Sequence, residues 1–172
     1  MSQPLAKAGS DATPQTEPDG FRVWRPGLIK YRDALTVQAE LVDQRRDWTH
    51  DLLILLEHPP VITFGRKTEP SNLLWDQKTL QAAGIDCVSS QRGGDITLHS
   101  PGQLVGYPIV DLTPYGKDLH RYLRQLEDIL IRTLADFGLS GTALPGKTGV
   151  WVDGRKIASI GIAVRRWISY HG

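Results

Sequence analysis

The sequence predicts an α+β domain with a mixed or antiparallel sheet flanked by helices. Three observations carry that reading. Strand-length apolar runs and helical periodicities follow one another without the regular β-α-β rhythm of a doubly wound sheet. Asp153-Gly154 separates two apolar runs, and that dipeptide tolerates the positive φ angles of a tight hairpin turn. At 172 residues the chain is long enough to fill one core and short for two, so a single domain is expected over residues 21–172.

Residues 1–20 carry three prolines and two glycines with no spaced apolar pattern, and are expected to form a disordered tail. Leu35, Ala39, Leu41 and Val42 fall near helical spacing and predict a helix over about residues 31–46. Leu52 to Leu56, five aliphatics bounded by Asp51 and Glu57-His58-Pro59-Pro60, read as a buried strand. Val61 to Phe64 follow as a second strand. Leu80, Ala82 and Ala83 before Gly84 suggest a short helix with a glycine stop, and Ile85 to Ser89 an extended segment. Leu119, Tyr122, Leu123, Leu126, Ile129, Leu130, Leu134 and Phe137 repeat at three and four residues and predict an amphipathic helix ended by Gly138. Its other face, with Arg121, Arg124, Gln125, Asp128 and Arg132, reads as solvated. Val150 to Val152 and Lys156 to Val164 form the two arms of the hairpin around Asp153-Gly154. Trp167 to Gly172 read as strand, so a sheet edge is left open there and the chain is expected to lack its C-terminal part.

Composition removes several function classes. Twenty Lys and Arg against nineteen Asp and Glu leave a formal charge of +1, too little for a general polyanion binder, so no nucleic acid is expected as partner. The single cysteine, Cys87, rules out an internal disulfide and multi-cysteine zinc sites, and suits a reducing compartment, the cytoplasm. No apolar run approaches the roughly 20 residues that span a bilayer, and no secretory leader pattern opens the chain, so no membrane association is expected. His50, His58, His99, His120 and His171 show no metal-ligand spacing, so no metal is expected.

Two segments could carry chemistry. In Arg92-Gly93-Gly94-Asp95-Ile96-Thr97-Leu98-His99, the paired glycines let backbone amides approach a ligand and Arg92 supplies a cationic fork. As a strand, Asp95 to His99 puts Ile96 and Leu98 on the core side and Asp95, Thr97 and His99 on the other. The same pattern fits a plain hairpin turn with a surface polar row equally well. His99 alone reads more readily as a hydrogen-bonded structural histidine than as a catalyst. No phosphate-loop motif is present. In the second segment, Lys156 opens an apolar strand with small residues at 158, 159, 161 and 163; on pattern alone it reads as a solvated strand-end lysine.

HPPVITFGR (58–66), RGGDITLHSPGQLVGYPIVDL (92–112) and GVWVDGRKIASIGIAVRRWISYHG (149–172) resemble, in order, the motifs of the bacterial lipoyl(octanoyl) transferase family. The resemblance covers nearly everything after the tail. It implies the fold of the biotin/lipoate protein ligase catalytic domain and an acyltransferase. That activity moves an octanoyl group from acyl carrier protein, through an enzyme cysteine, to a lysine of a lipoyl domain. The implied acceptors are the lipoyl domains of 2-oxoacid dehydrogenase E2 subunits and the glycine cleavage H protein, and no cofactor is implied. Carried over by motif, Arg92, Gly93, Gly94, Asp95, Ile96, Thr97, Leu98 and His99 bind substrate, as do Ser159, Ile160, Gly161 and Gly172. Lys156 matches the lysine that lowers the pKa of the catalytic thiol, a role consistent with a cation favouring thiolate. Strict strand alternation would set Lys156 and Ser159 on opposite faces unless a bulge intervenes.

The family's cysteine follows the YHG motif, beyond Gly172, and Cys87 precedes the RGG motif on an expected buried strand where thiols are inert. Covalent turnover by these 172 residues alone is therefore expected to be crippled or lost. Two other readings stay open: an ATP-dependent lipoate or biotin ligase of the same fold, and a non-catalytic protein that binds acyl groups or their carriers. Arg165-Arg166 and the arginines of the 118–137 helix are candidate contacts for an acidic carrier.

Overall fold

The structure is a computed structural model that describes residues 15–16, 21–48 and 50–172. They form two compact units, Met1–Asp111 with Ile162–Gly172, and Leu112–Gly161, where the sequence reads as one domain. The expected tail falls outside the described residues, except for Gln15–Thr16. In chain order the first unit contains β1 (Gln15–Thr16), β2 (Arg22–Leu28), α1 (Tyr31–Gln44), β3 (Leu52–Glu57) and β4 (Val61–Phe64). It continues with α2 (Gln77–Ala82), β5 (Asp86–Ser89), β6 (Ile96–His99) and β7 (Val105–Ile109). The second unit holds α3 (Leu119–Asp136), β8 (Val150–Val152) and β9 (Arg155–Ala158). The chain then returns to the first unit with β10 (Ile162–Arg165) and β11 (Ile168–His171).

The first unit has a sheet in the order β1-β2-β3-β7 and another in the order β5-β4-β6. Each repeats one pattern: two parallel strands joined through a helix, then an antiparallel strand on the other side of the centre. Thus β2 and β3 are parallel across α1 and β7 is antiparallel to β3. Likewise β4 and β5 are parallel across α2, and β6 is antiparallel to β4. The mixed sheet expected from the irregular element order is observed.

Tyr31, Ala34, Gln38, Leu41 and Val42 make the buried stripe of α1. Ala34, Leu41 and Val42 cluster with Trp24, Leu52, Ile54, Leu56, Val105, Tyr107, Ile109 and Ile168. In β3 the aliphatic run alternates in burial, with Leu52, Ile54 and Leu56 fully enclosed and Leu53 and Leu55 half-buried. Each enclosed leucine or isoleucine contributes about 1.5–3 kcal/mol by removal from water, before the cost of ordering the chain. An ion pair between buried Arg45 and Asp51 closes the turn from α1 into β3, and Asp51 also accepts the Asp111 N–H at 3.1 Å.

Several expectations are corrected. Lys156 to Val164 is not one strand: β9 ends at Ala158 and β10 begins at Ile162, so the alternation that separated Lys156 from Ser159 does not run that far. The Asp153-Gly154 hairpin forms, with φ of 49° and 72°, and a second one joins β10 to β11 through Arg166 and Trp167, at φ 52° and 66°. Helix α3 exists as expected, with the Asp118 carboxylate accepting the Arg121 N–H at 3.0 Å as its N-cap. Its packed stripe differs: Leu119, Ile129 and Phe137 are exposed, while Glu127 is buried. A carboxylate can occupy that stripe because both its oxygens accept hydrogen bonds, described below. Cys87 lies on an edge strand, β5, and is half-buried rather than enclosed.

Candidate active site

In the β5-β4-β6 sheet, register places Val61, Thr63, Val88, Thr97 and His99 on one face. Val61, Val88 and Tyr31 form a small core there. The other face carries Leu98, half exposed at 51%, so the expected core side of β6 is inverted. Thr97 and His99 face inward because their partners across the strand, Thr63 and Val61, belong to the enclosed side.

Arg92 is 7% exposed and organises the loop between β5 and β6. Its Nη2 donates to the carbonyls of Thr63 at 2.8 Å and Asp95 at 2.7 Å, and its Nη1 to Gly93 O at 2.9 Å. Nε and Nη2 also reach the Thr63 hydroxyl at 3.1 and 2.9 Å. The fork anticipated as a ligand contact is thus largely spent on backbone. The Asp95 carboxylate is spent likewise, accepting the Glu69 N–H at 2.9 Å and the Asn72 side-chain amide. Those hydrogen bonds, the Glu69 one first, hold its pKa below the usual carboxylate value.

The first and second motifs meet on this loop. Gly65, Arg66 and Lys67 donate their N–H groups to the carbonyls of Asp95, Arg92 and Gly94 at 3.2, 3.0 and 3.0 Å. A Cβ on Gly65 would strike the Gly94 carbonyl and crowd Arg92 Nη1, which explains a glycine at that position. Gly93 donates to Ile162 O at 2.9 Å, joining the loop to the start of β10.

Aromatic and imidazole rings pack beside it. His58 Nδ1 donates to Ile29 O at 2.7 Å, so Nε2 is the acceptor for the Tyr107 hydroxyl, also at 2.7 Å. Ring centroids lie 5.2 Å apart for Tyr31 and His58, 5.9 Å for Tyr31 and His99, and 5.6 Å for His58 and His99. Gln103 Nε2 donates to Leu98 O at 3.3 Å, which leaves its Oε1 to accept from His99 Nδ1 at 2.6 Å. His99 therefore carries its proton on Nδ1 and offers the Nε2 lone pair. Burial first, with His58 and then Arg92 adding to it and the Gln103 hydrogen bond opposing it, brings its pKa down to about 4, so the ring is neutral at pH 7. Burial lowers His58 and raises the Tyr107 hydroxyl in the same sense.

His171 is 2% exposed, and burial, with Arg92 adding to it, takes its pKa to about 4. Its N–H donates to Gln38 Oε1 at 2.7 Å, at a left-handed φ of 57° that a β-carbon disfavours. Gly172 follows with its Cα against the Gly106 carbonyl of β7, leaving no room for a Cβ. The predicted Gly172 thus sits where two backbones touch.

The remaining predicted residues lie in the second unit. Lys156 pairs across the hairpin with Trp151, and its Nζ stands 5.1 Å from the indole centroid. Partial burial lowers the ammonium pKa, with Lys147 adding to it and Glu127 opposing it. Ser159, Ile160 and Gly161 form the irregular stretch between β9 and β10. Arg165, a suggested carrier contact, is already engaged with Asp43 at 2.6 Å.

The first unit thus packs hydrogen-bonded rings, with Tyr31, His58 and Tyr107 enclosed, beside a cationic loop anchor, and the second unit holds a lysine whose proton is loosened. The His99 imidazole can accept a proton or hydrogen bond at Nε2. Tyr31, His58, Thr63, Tyr107 and Gln103 escaped the sequence reading. The HPP run held the signal for His58, since a histidine between a buried strand and two prolines has few ways to reach water.

The architecture is that of lipoate-attaching enzymes. The chain superposes on P. falciparum LipL1 in complex with lipoate at a TM-score of 0.71, with 15% identity, covering 88% of this chain and 46% of that one. It matches a lipoate-protein ligase A bound with ATP at 0.69, with 16% identity, covering 87% and 63%. Residues 30–172 match the lipoyl protein ligase A/B catalytic domain, and the chain belongs to that family. Relatives named Octanoyltransferase include those of Gloeobacter violaceus, 51% identical over 86% of this chain and 65% of its own length. The Geobacter metallireducens relative is 48% identical over 85% and 66%. The chain thus spans slightly less than two thirds of the relatives it matches.

Proposed function

We propose that this chain carries the acyl-handling part of an octanoyltransferase, which moves octanoate from acyl carrier protein to a lysine of a lipoyl domain. The observation that carries the reading is identity of 45–51% to relatives of that name. Identity to solved ligases is far lower, 14–16%. The neutral imidazole of His99 and the cationic side chain of Lys156 support it.

A cysteine thiolate attacks the thioester carbonyl, the C–S bond to the carrier breaks, and the carrier leaves as a thiolate that takes a proton from water. The lysine amine then attacks the enzyme thioester, the amide forms, the cysteine leaves as thiolate, and the amine's surplus proton passes to a base. Lys156 favours the thiolate by its charge. Residues Arg92 to His99, Ser159 to Gly161 and Gly172 line the acyl path in this reading, Arg92 by shaping the loop and His99 through its free Nε2. The nucleophile is not Cys87: burial, with Asp86 adding to it, pushes that thiol up, away from thiolate. The acceptors are lipoyl domains of 2-oxoacid dehydrogenase E2 subunits and the glycine cleavage H protein, reached in the cytoplasm.

The test is intact mass after incubation with octanoyl-acyl carrier protein, for this chain and for one extended with the C-terminal segment of the Gloeobacter relative. The reading expects a hydroxylamine-labile octanoyl adduct on the extended chain only, discharged by a lipoyl domain. An adduct abolished by Cys87→Ser overturns the assignment of the nucleophile. Octanoylation of the lipoyl domain that requires free octanoate and ATP replaces the transferase with a ligase.

A further inference from the structure

Glu127 is the one enclosed carboxylate among the described residues, 1% exposed, and the acyl-transfer steps above do not use it. Its Oε1 accepts the Gly149 N–H at 3.0 Å, and its Oε2 pairs with Arg124 at 2.5 Å. Arg124 is itself half exposed and reaches Lys147 O at 3.4 Å. Helix α3 thereby fixes the turn that enters β8. Gly149, at φ 133°, lies against Lys156 so closely that a Cβ would come within 2.5 Å of Lys156 Cε and 3.2 Å of Nζ.

Trp151 then supports the ammonium from across the hairpin. Exposed Lys156 thus has its stem against a glycine held by Glu127 and its ammonium over an indole face. An isolated carboxylate is costly to bury, and this one is compensated by a backbone donor and an arginine. Its charge also bears on Lys156, which it attracts.

We propose that Glu127 is a positioning residue for Lys156: through the Gly149 turn it fixes the lysine stem, and its charge acts on the ammonium. This deepens the transferase reading and rests on it for the meaning of Lys156, though not for its test. The groups that bear on the ammonium are Glu127 and Arg124 of α3, Lys147 of the preceding loop and Trp151 of β8. Lys147 is exposed and opposes Glu127.

The experiment titrates Lys156 directly, by pH-dependent trace acetylation read peptide by peptide and by NMR of the Nζ-attached carbon. Glu127→Gln keeps an acceptor for Gly149 and removes the charge, and is expected to lower the Lys156 midpoint. Lys147→Gln is expected to raise it. An unmoved midpoint in folded Glu127→Gln overturns the proposal. Should that variant fail to fold, the unmodified chain still decides: the Glu127 carboxyl carbon shift is expected to inflect as Lys156 loses its proton, and a flat trace there overturns it. Absence of acyl transfer in the extended chain, with these titrations as expected, would remove the transferase reading and leave the coupling standing.

Discussion

Arg92 gives the sharpest prediction, because its guanidinium is a scaffold rather than a contact held in reserve. Arg92→Met keeps the stem and removes all the donors. Three carbonyls, of Thr63, Gly93 and Asp95, lose a charged donor at 2.7–2.9 Å. The Thr63 hydroxyl keeps its bond to Thr97 O at 3.3 Å and is not orphaned. At about 1–1.5 kcal/mol net for each carbonyl the loss is ~3–4 kcal/mol, reduced somewhat because a desolvated charge goes with it. Urea denaturation at pH 7.5 should show about 3 kcal/mol. A second readout separates this from generic damage. The Arg92 charge helps hold His99 and His171 down, so in folded Arg92→Met both imidazole midpoints, read from ring-proton shifts, should rise from about 4. A loss under ~1 kcal/mol with both midpoints unmoved would refute the anchoring role.

Three further predictions concern neighbouring groups. His171 has a folded pKa of about 4 against an ordinary 6.5, so its contribution is complete above pH 6.5 and is lost as pH falls toward 4, up to ~3 kcal/mol. His171→Asn, which accepts a left-handed φ and does not titrate, should flatten that part of the pH dependence of urea midpoints; equal slopes in both proteins would refute it. Gln103→Glu puts a carboxylate on the His99 Nδ1–H and should raise the His99 midpoint in NMR titration, while an unchanged midpoint would mean the side chains do not meet. Cys87, its thiol pushed up by burial, should alkylate at pH 7 more slowly than a free cysteine. Cys87→Ser should change the urea midpoint little, and a fast-reacting thiol would argue against the edge-strand placement.

The sequence made the scaffold legible where one local rule decided the outcome. The α1 helix, the glycine stop after α2 and the Asp153-Gly154 turn all follow from spacing or from a backbone angle that few residues accept, although the buried stripe of α1 runs through Tyr31, Ala34 and Gln38 rather than half-buried Leu35 and exposed Ala39. It misled where burial depended on partners far away in the chain. Leu98 looked like core because it is apolar, yet the enclosed face of β6 is chosen by Thr63 and Val61 on β4, 34 to 38 positions earlier. The apolar repeat of α3 does not single out Glu127, and only its bonds to Gly149 and Arg124 make that buried position habitable for a carboxylate. The candidate site shares this difficulty. Arg92 and His99 stand out as residue types, but their tasks are set by Thr63, Ile162 and Gln103, which no periodicity singles out. A buried cation with carbonyl partners and a histidine with a fixed tautomer are properties of pairs, and pairs become visible only once the chain has folded.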